Sequence, residues 1–152
     1  MADKFAATGA QPTTTATPGD SSLAVEGDVL VRGRLYDIMV SALGTPADNA
    51  LEWLIRRATA LGTPDAAVTP QQLDSDGPAA QLSAGEDYSV EPTYAAGSEL
   101  LDFGLNQRAT NRWVAREGSE LMVPASATAA IGATAFHASY AGSAEANFMW
   151  EE

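Results

Sequence analysis

The sequence predicts an all-β protein: an antiparallel, jelly-roll-like sandwich of about eight strands with an extended N-terminal arm. Three observations predict it. Turn-forming Gly, Pro, Asp and Asn recur roughly every 8 to 15 residues from Leu23 onward, the interval of short strands joined by turns. Several of the intervals alternate large apolar and polar residues, the period-two pattern of a strand with one buried face. No repeat of 20 to 50 residues and no heptad pattern competes with that reading. Residues 1–22 are expected as the arm and residues 23–152 as a single domain.

The arm comes first. Residues 9–22 hold no large apolar side chain but two prolines and four threonines, a composition that buries little and favours extended backbone. Thr13, Thr14 and Thr15 at its centre are placed along a neighbouring subunit. On this reading, deleting residues 1–22 weakens assembly more than it lowers the melting point. Residues 33–42 read as a strand with Tyr36, Ile38 and Val40 on one face and Leu35, Asp37, Met39 and Ser41 on the other.

Residues 50–61 fit both helix and strand. As a helix, Leu51, Leu54, Ile55, Ala58 and Leu61 form one stripe capped by Asp48; as a strand, Leu51, Trp53 and Ile55 alternate with Glu52 and Arg56. Local propensity favours the helix, whereas the β-like flanks favour the strand, which is the preferred reading. Residues 62–97 are the least hydrophobic stretch and read as a long decorated loop, with Thr69-Pro70 starting a short helical turn.

The last third alternates clearly. Leu101, Phe103 and Leu105 face inward from residues 99–106, and Trp113 and Ala115 lie opposite Arg112, Val114 and Arg116. Glu120 to Pro124 is a short strand stopped by proline. A final hairpin pairs residues 135–140 with 145–150 across Ala141-Gly142-Ser143-Ala144, setting Phe136, Ala138 and Tyr140 against Ala146, Phe148 and Trp150.

Composition narrows the function. The 152 residues include 8 Lys+Arg, 20 Asp+Glu, one His and no Cys, for a net charge of −12. Nucleic-acid binding by phosphate neutralisation is unsupported at that charge. Without Cys there are no disulfides, thiolate metal sites or cysteine nucleophiles. No segment approaches the roughly 20 apolar residues that span a bilayer, so no membrane partner is expected. Of the 69 apolar residues 30 are Ala, which leaves 39 larger side chains and suggests a thin core completed by neighbours.

Catalytic motifs are lacking. His137 is the only imidazole, no Gly-x-Ser-x-Gly surrounds a serine, and the sole lysine, Lys4, has no phosphate-binding loop around it. Asp74-Ser75-Asp76-Gly77 opens like a calcium loop, but Pro-Ala-Ala-Gln-Leu-Ser follows where a bidentate Glu belongs, so it reads as a turn. Glu86, Asp87 and Glu91 are the nearby acids that could add oxygen ligands. No catalytic residue, metal or cofactor is expected. An acid-pair hydrolase is the enzymatic alternative, with no carboxylate standing out for it.

Seven of the eight basic residues are Arg, grouped as Arg32/Arg34, Arg56/Arg57 and Arg108/Arg112/Arg116. Arg is enriched at interfaces because its planar fork pairs with carboxylates and stacks on rings. These seven are the expected interface residues, alongside Thr13–Thr15. The other reading of them is salt bridges within one sheet.

Beyond composition, several strings form a pattern: Thr17-Pro18-Gly19-Asp20, Gly33-Arg34-Leu35-Tyr36-Asp37, Gly44-Thr45-Pro46-Ala47-Asp48-Asn49-Ala50 and Ala67-Val68-Thr69-Pro70-Gln71-Gln72-Leu73-Asp74. It continues through Glu91-Pro92-Thr93-Tyr94, Leu105-Asn106-Gln107-Arg108, Arg112-Trp113-Val114-Ala115, Glu120-Leu121-Met122-Val123-Pro124 and Phe148-Met149-Trp150-Glu151-Glu152. In these strings the chain resembles small structural proteins of tailed bacteriophages, from about residue 13 to its end. The resemblance implies a virion component: a non-catalytic capsid decoration (cement) protein, made in the host cytoplasm, that trimerises on the major capsid protein at the capsid surface. The alternative is a head-fibre or tail-associated jelly roll that binds carbohydrate, with Trp53, Trp113, Tyr88 or Tyr94 as stacking platforms.

Overall fold

A computed structural model describes residues 2–12, 20–136 and 142–152. Among them lie twelve strands and no helix. The first sheet holds β1 (Lys4–Pro12), β3 (Gly33–Gly44), β6 (Gln71–Gln72), β9 (Asn111–Val114), β10 (Leu121–Val123) and β12 (Gly142–Glu151). Its order is β10-β3-β12-β1-β6, with β9 also on β3. Because β9 pairs with Asp37 to Val40 and β10 with Gly33 to Leu35, the two act as one interrupted edge strand. The second sheet holds β2 (Ser21–Glu26), β4 (Ala50–Ala60), β5 (Thr63–Val68), β7 (Ser83–Val90), β8 (Thr93–Asn106) and β11 (Ala130–Phe136), in the order β5-β7-β2-β11-β4-β8. All pairings are antiparallel, and the two sheets stack as a sandwich around one main core.

The core explains the alternating pattern. Trp53 and Ile55 of β4 sit opposite Ala135 and Ala133 of β11 on one side and Phe103 and Leu101 of β8 on the other. Facing them from the first sheet are Phe5, Ile38, Val40, Phe148 and Trp150, each at most 1 % exposed. Ala7, Ala133, Ala135, Ala144 and Ala146 fill between these large residues and let the sheets approach closely. The 39 larger apolar residues therefore suffice to close a core within one chain.

Residues 50–60 are the strand β4, as the flanks suggested. Its inward residues gain cross-strand partners on both sides, and that outweighs local helix propensity.

Other expectations are corrected. The segment read as an arm is an interior strand over residues 4–12, paired with β12 on one side and β6 on the other, and residues 21–22 already belong to β2. Thr13, Thr14 and Thr15 lie outside the described residues. The stretch 62–97 is mostly strand rather than loop; Thr69-Pro70 leads into β6, not a helical turn. The strand count rises from about eight to twelve because β1, β5, β6 and β7 join the sheets. The final hairpin does not form: β11 pairs with β2 and β4, while β12 pairs with β1 and β3 in the opposite sheet. Phe148 and Trp150 therefore face Ile38 and Leu35, and Ala138 and Tyr140 lie outside the described residues.

A bulge corrects β3. Asp37 pairs with Met149 and Leu35 with Trp150, leaving Tyr36 as the extra residue. The extra residue flips the face, so Leu35 points inward together with Ile38 and Val40, while Tyr36 is only half-buried.

Candidate functional site

The most elaborate polar arrangement lies on the outer face of the second sheet. Ala24, Ala58 and Ala130, from three adjacent strands, make a floor on which Tyr88 and Tyr94 pack. Gly132 belongs to the same floor: a Cβ there would overlap the Tyr94 hydroxyl, so only glycine admits that ring. The chain running from the end of β7 to the start of β8 thus forms a strap over the sheet.

Hydrogen bonds fasten it. Ser21 Oγ donates to Glu91 Oε2 at 2.6 Å, and the Ser21 N–H donates to the same oxygen at 3.0 Å. Tyr94 Oη lies 2.8 Å from Ser21 Oγ. Since the serine proton is committed to the carboxylate, the tyrosine is the donor, giving a relay from Tyr94 through Ser21 to Glu91. Tyr88 Oη donates to Glu26 Oε1 at 3.3 Å, and Ser83 Oγ donates to Glu26 Oε2 at 3.0 Å. Arg56 closes one side: its guanidinium stands 4.1 Å from the Tyr94 ring centre and 5.3 Å from that of Phe136, and its Nε donates to Thr134 Oγ1 at 3.1 Å.

Burial sets the electrostatics. It pushes the Glu91 carboxyl above the ordinary range, against the hydrogen bonds from Ser21; Asp20 adds to the rise and Arg56 opposes it. Burial also pushes the phenols of Tyr88 and Tyr94 far up. Glu91 Oε1 is buried with no hydrogen-bond partner among the described residues. Ser21 is fully buried, so in this conformation its hydroxyl meets no substrate despite the adjacent carboxylate. What the arrangement does is hold the strap to the sheet.

A carboxyl whose pKa rises on folding contributes its full share of stability below the unfolded value and loses it as pH climbs through the folded value. Native stability is therefore expected to decline as pH rises through the upper carboxylate range, with Glu91→Gln flattening that decline. Denaturant unfolding between about pH 4 and 8 measures it. Equal slopes in the two proteins would show that Glu91 does not titrate as described.

The arginines expected at subunit seams are mostly used inside the chain. Arg34 pairs with Glu151, and Arg112 grips buried Asp37, its Nε lying 2.9 and 3.1 Å from the two carboxylate oxygens. Arg57 points inward and donates to Met122 O at 2.6 Å, tying β4 to β10 across the sandwich. Arg108 lies 3.4 Å from Asp48 and donates to Pro46 O at 3.3 Å. With Arg56 in the strap, Arg32 and Arg116 remain; both are exposed and make no ion pair among the described residues.

The stacking platforms are corrected as well. Trp53 is wholly buried, Tyr88 is buried, Trp113 is half-buried against the core, and Tyr94 faces Arg56. The acids near the calcium-like string have separate partners: Asp74 Oδ1 accepts from the Asp76 N–H and Glu86 Oε2 from the Ala10 N–H, while Glu91 serves the strap. Residues 74–77 form the expected turn, closed by Gly77 N–H on Asp74 O at 3.0 Å. His137 lies outside the described residues.

Sequence reasoning missed Ser21, Glu26, Asp37, Thr134 and Phe136 as members of polar ties. The one local signal was Gly132 inside the apolar run Ala130-Ile131-Gly132-Ala133, a mark of close approach by another group. Comparison with protein-family models, curated proteins and solved structures finds no match to this chain.

Proposed function

We propose that this chain is a non-catalytic structural subunit of a tailed-phage particle: a decoration protein that self-associates, as a trimer, on the outside of the major capsid shell and steadies capsomer junctions. The observation that carries the reading is the strand order. Setting aside the β5–β7 insertion and counting β9 with β10 as one edge, eight strands remain. Numbered along the chain, they run 1-8-3-6 in one sheet and 2-7-4-5 in the other. The chain thus crosses between sheets at every step but one, which supports reading it as a jelly roll, an architecture recurrent in viral shells and also in lectins.

Two further features support the shell reading over the lectin one. The four aromatic residues expected as sugar platforms, Trp53, Trp113, Tyr88 and Tyr94, are buried or half-buried, or face an arginine. Two exposed apolar side chains, Met39 and Val114, instead lie on the outer face of the first sheet, where they flank the Asp37–Arg112 pair. An exposed apolar area beside satisfied charges suits protein–protein contact. The acidic excess suits the solvent side of a particle that must stay dispersed.

Mass spectrometry of purified particles of the encoding phage is expected to find this chain at a stoichiometry set by the shell. Its absence from particles would end the proposal. Val114→Asp is expected to weaken rebinding to stripped shells about tenfold or more while leaving the melting temperature of the free protein within a few degrees.

A further inference from the structure

At one end of the sandwich, the loop of residues 27–32 between β2 and β3 carries Val29 and Leu30, 62 % and 81 % exposed. They are the two most exposed large apolar side chains among the described residues. The loop is ordered by its own bonds. The Leu30 N–H donates to Asp28 Oδ1 at 2.7 Å, and the Gly27 N–H donates to Ala129 O at 2.8 Å. Gly27 is required there, because a Cβ would lie 2.5 Å from Ser126 O and 2.7 Å from Pro124 O. The apolar tip is thus held in place before any partner arrives, which lowers the entropic cost of docking. Arg32 follows the tip, exposed and without an ion pair among the described residues.

The same end of the first sheet holds a surface pocket of about 310 Å³ lined by Ala2, Asp3, Lys4, Leu73 and Asp74. Its wall is fixed by the Leu73 N–H donating to Lys4 O at 2.9 Å, and Leu73 itself is 51 % exposed. The Lys4 ammonium stands over the Tyr36 ring, 5.4 Å from its centre, which leaves Asp3 and Asp74 as the rim acids. A cavity of about 150 Å³ takes a benzene-sized group, so this pocket has room for a leucine and part of a valine.

Strand pairing places tip and pocket relative to each other. The start of β3 and the start of β1 both flank the end of β12, since Leu35 pairs with Trp150 and Lys4 with Glu151. In the order β10-β3-β12-β1-β6, the tip precedes β3 and the pocket lies at β1 and β6, with β12 between their strands. A knob and a socket at distinct places on one chain permit a head-to-tail contact, which generates a ring when the rotation closes.

We infer that Leu30 and Val29 of one copy seat in the Leu73 pocket of the next, with Arg32 set against the Asp3 and Asp74 carboxylates. A second copy is the fitting occupant because one chain supplies both halves: the apolar tip for the pocket and, in Arg32, an exposed cation for its acidic rim. Local charge matching of this kind is what permits two chains of −12 to approach each other. The inference rests on the self-association in the proposed function and specifies the surface that makes it.

Light scattering of the purified full chain across a dilution series is the test. The wild type is expected to form a closed small oligomer. Leu30→Asp and Asp3→Arg are each expected to weaken association about 30-fold, the size of a single hot-spot residue. Arg32→Asp combined with Asp3→Arg is expected to restore much of the loss. All these sites are on the surface, so circular dichroism and melting of the dissociated variants are expected to match the wild type. A monomeric wild type, or an oligomer indifferent to Leu30→Asp, would overturn the contact. Particle mass spectrometry separates the two ideas. Presence in particles with no tip-dependent oligomer overturns the contact alone, and a tip-dependent oligomer absent from particles overturns only the particle reading.

Discussion

A chain shortened to begin at residue 13 is expected to lose cooperative unfolding altogether. The missing residues include all nine of β1, which pair one for one with Ser143 to Glu151 of β12 and, at Phe5 and Ala6, with β6 on the other side. Without β1, the β12 backbone loses its partner along one edge, and the inward faces of Ala146, Phe148 and Trp150 lose their cover. Phe5 is 1 % exposed, with its ring centre 5.9 Å from that of Trp150. Replacing one buried phenylalanine by alanine costs about 3–5 kcal/mol, while a whole domain is stable by about 5–15 kcal/mol. Phe5→Ala alone is thus expected to remove roughly a fifth or more of the stability, and losing the strand to remove the rest. Near-ultraviolet circular dichroism and denaturant unfolding of the shortened chain provide the measurement. A sharp transition close to that of the wild type would mean that β1 is dispensable and that the arm reading was right after all.

The arm was misread for a physical reason. Lys4-Phe5-Ala6-Ala7-Thr8-Gly9 has one large apolar residue, and its inward positions are otherwise Ala7 and Gly9. The small residues are what the site requires: a Cβ at Gly9 would lie 2.6 Å from Ser22 O. Hydrophobic periodicity is silent where a strand packs through small side chains, and the partner that orders β1 is at the far end of the chain. The final hairpin failed similarly. Alternation around a Gly-Ser turn fits two strands side by side in one sheet as well as a crossing between sheets, and only the neighbouring strands decide.

Period two was reliable where large side chains carried it and no bulge intervened, unlike β3 at Tyr36. Leu51, Trp53 and Ile55 gave β4, and Leu101, Phe103 and Leu105 gave the inward face of β8. The adjacent pair Arg56-Arg57 splits in the same way, one to the strap and one across the core to Met122. The strap itself was illegible. Ser21 and Glu91 stand 70 positions apart, and Ser21 and Tyr94 stand 73 apart, with nothing local to link them.

The strap's dependence on close approach leads to the second large effect: Gly62→Ala is expected to cost about 1–3 kcal/mol although it adds a single methyl group. Gly62 lies between β4 and β5. A Cβ there would overlap Val90 O and lie 2.7 Å from both Pro92 N and Tyr88 Cδ1. Two of those three neighbours are backbone, and all belong to the segment that carries Glu91. The strap would have to lift, lengthening the Ser21–Glu91 bond and the Tyr88–Glu26 bond together and wetting a carboxylate that burial now holds above its usual range. The four tyrosines make this visible by ultraviolet titration. Burial raises the phenols of Tyr88 and Tyr94 in the folded chain, so the stability they confer is intact below the ordinary phenol value and lost only as pH climbs through the raised ones. In the wild type these two are expected to ionise only as the chain unfolds. In Gly62→Ala they are expected to ionise reversibly nearer pH 10, with the sandwich still folded. Gly104→Ala in β8 is the matched control: no described residue lies within 4 Å of a Cβ there, so the added methyl is expected to be neutral or to stabilise by about 0.5 kcal/mol. If Gly62→Ala titrates and melts like Gly104→Ala, the strap is not held by that contact, and the raised Glu91 carboxyl must owe its burial to the floor of the sheet alone.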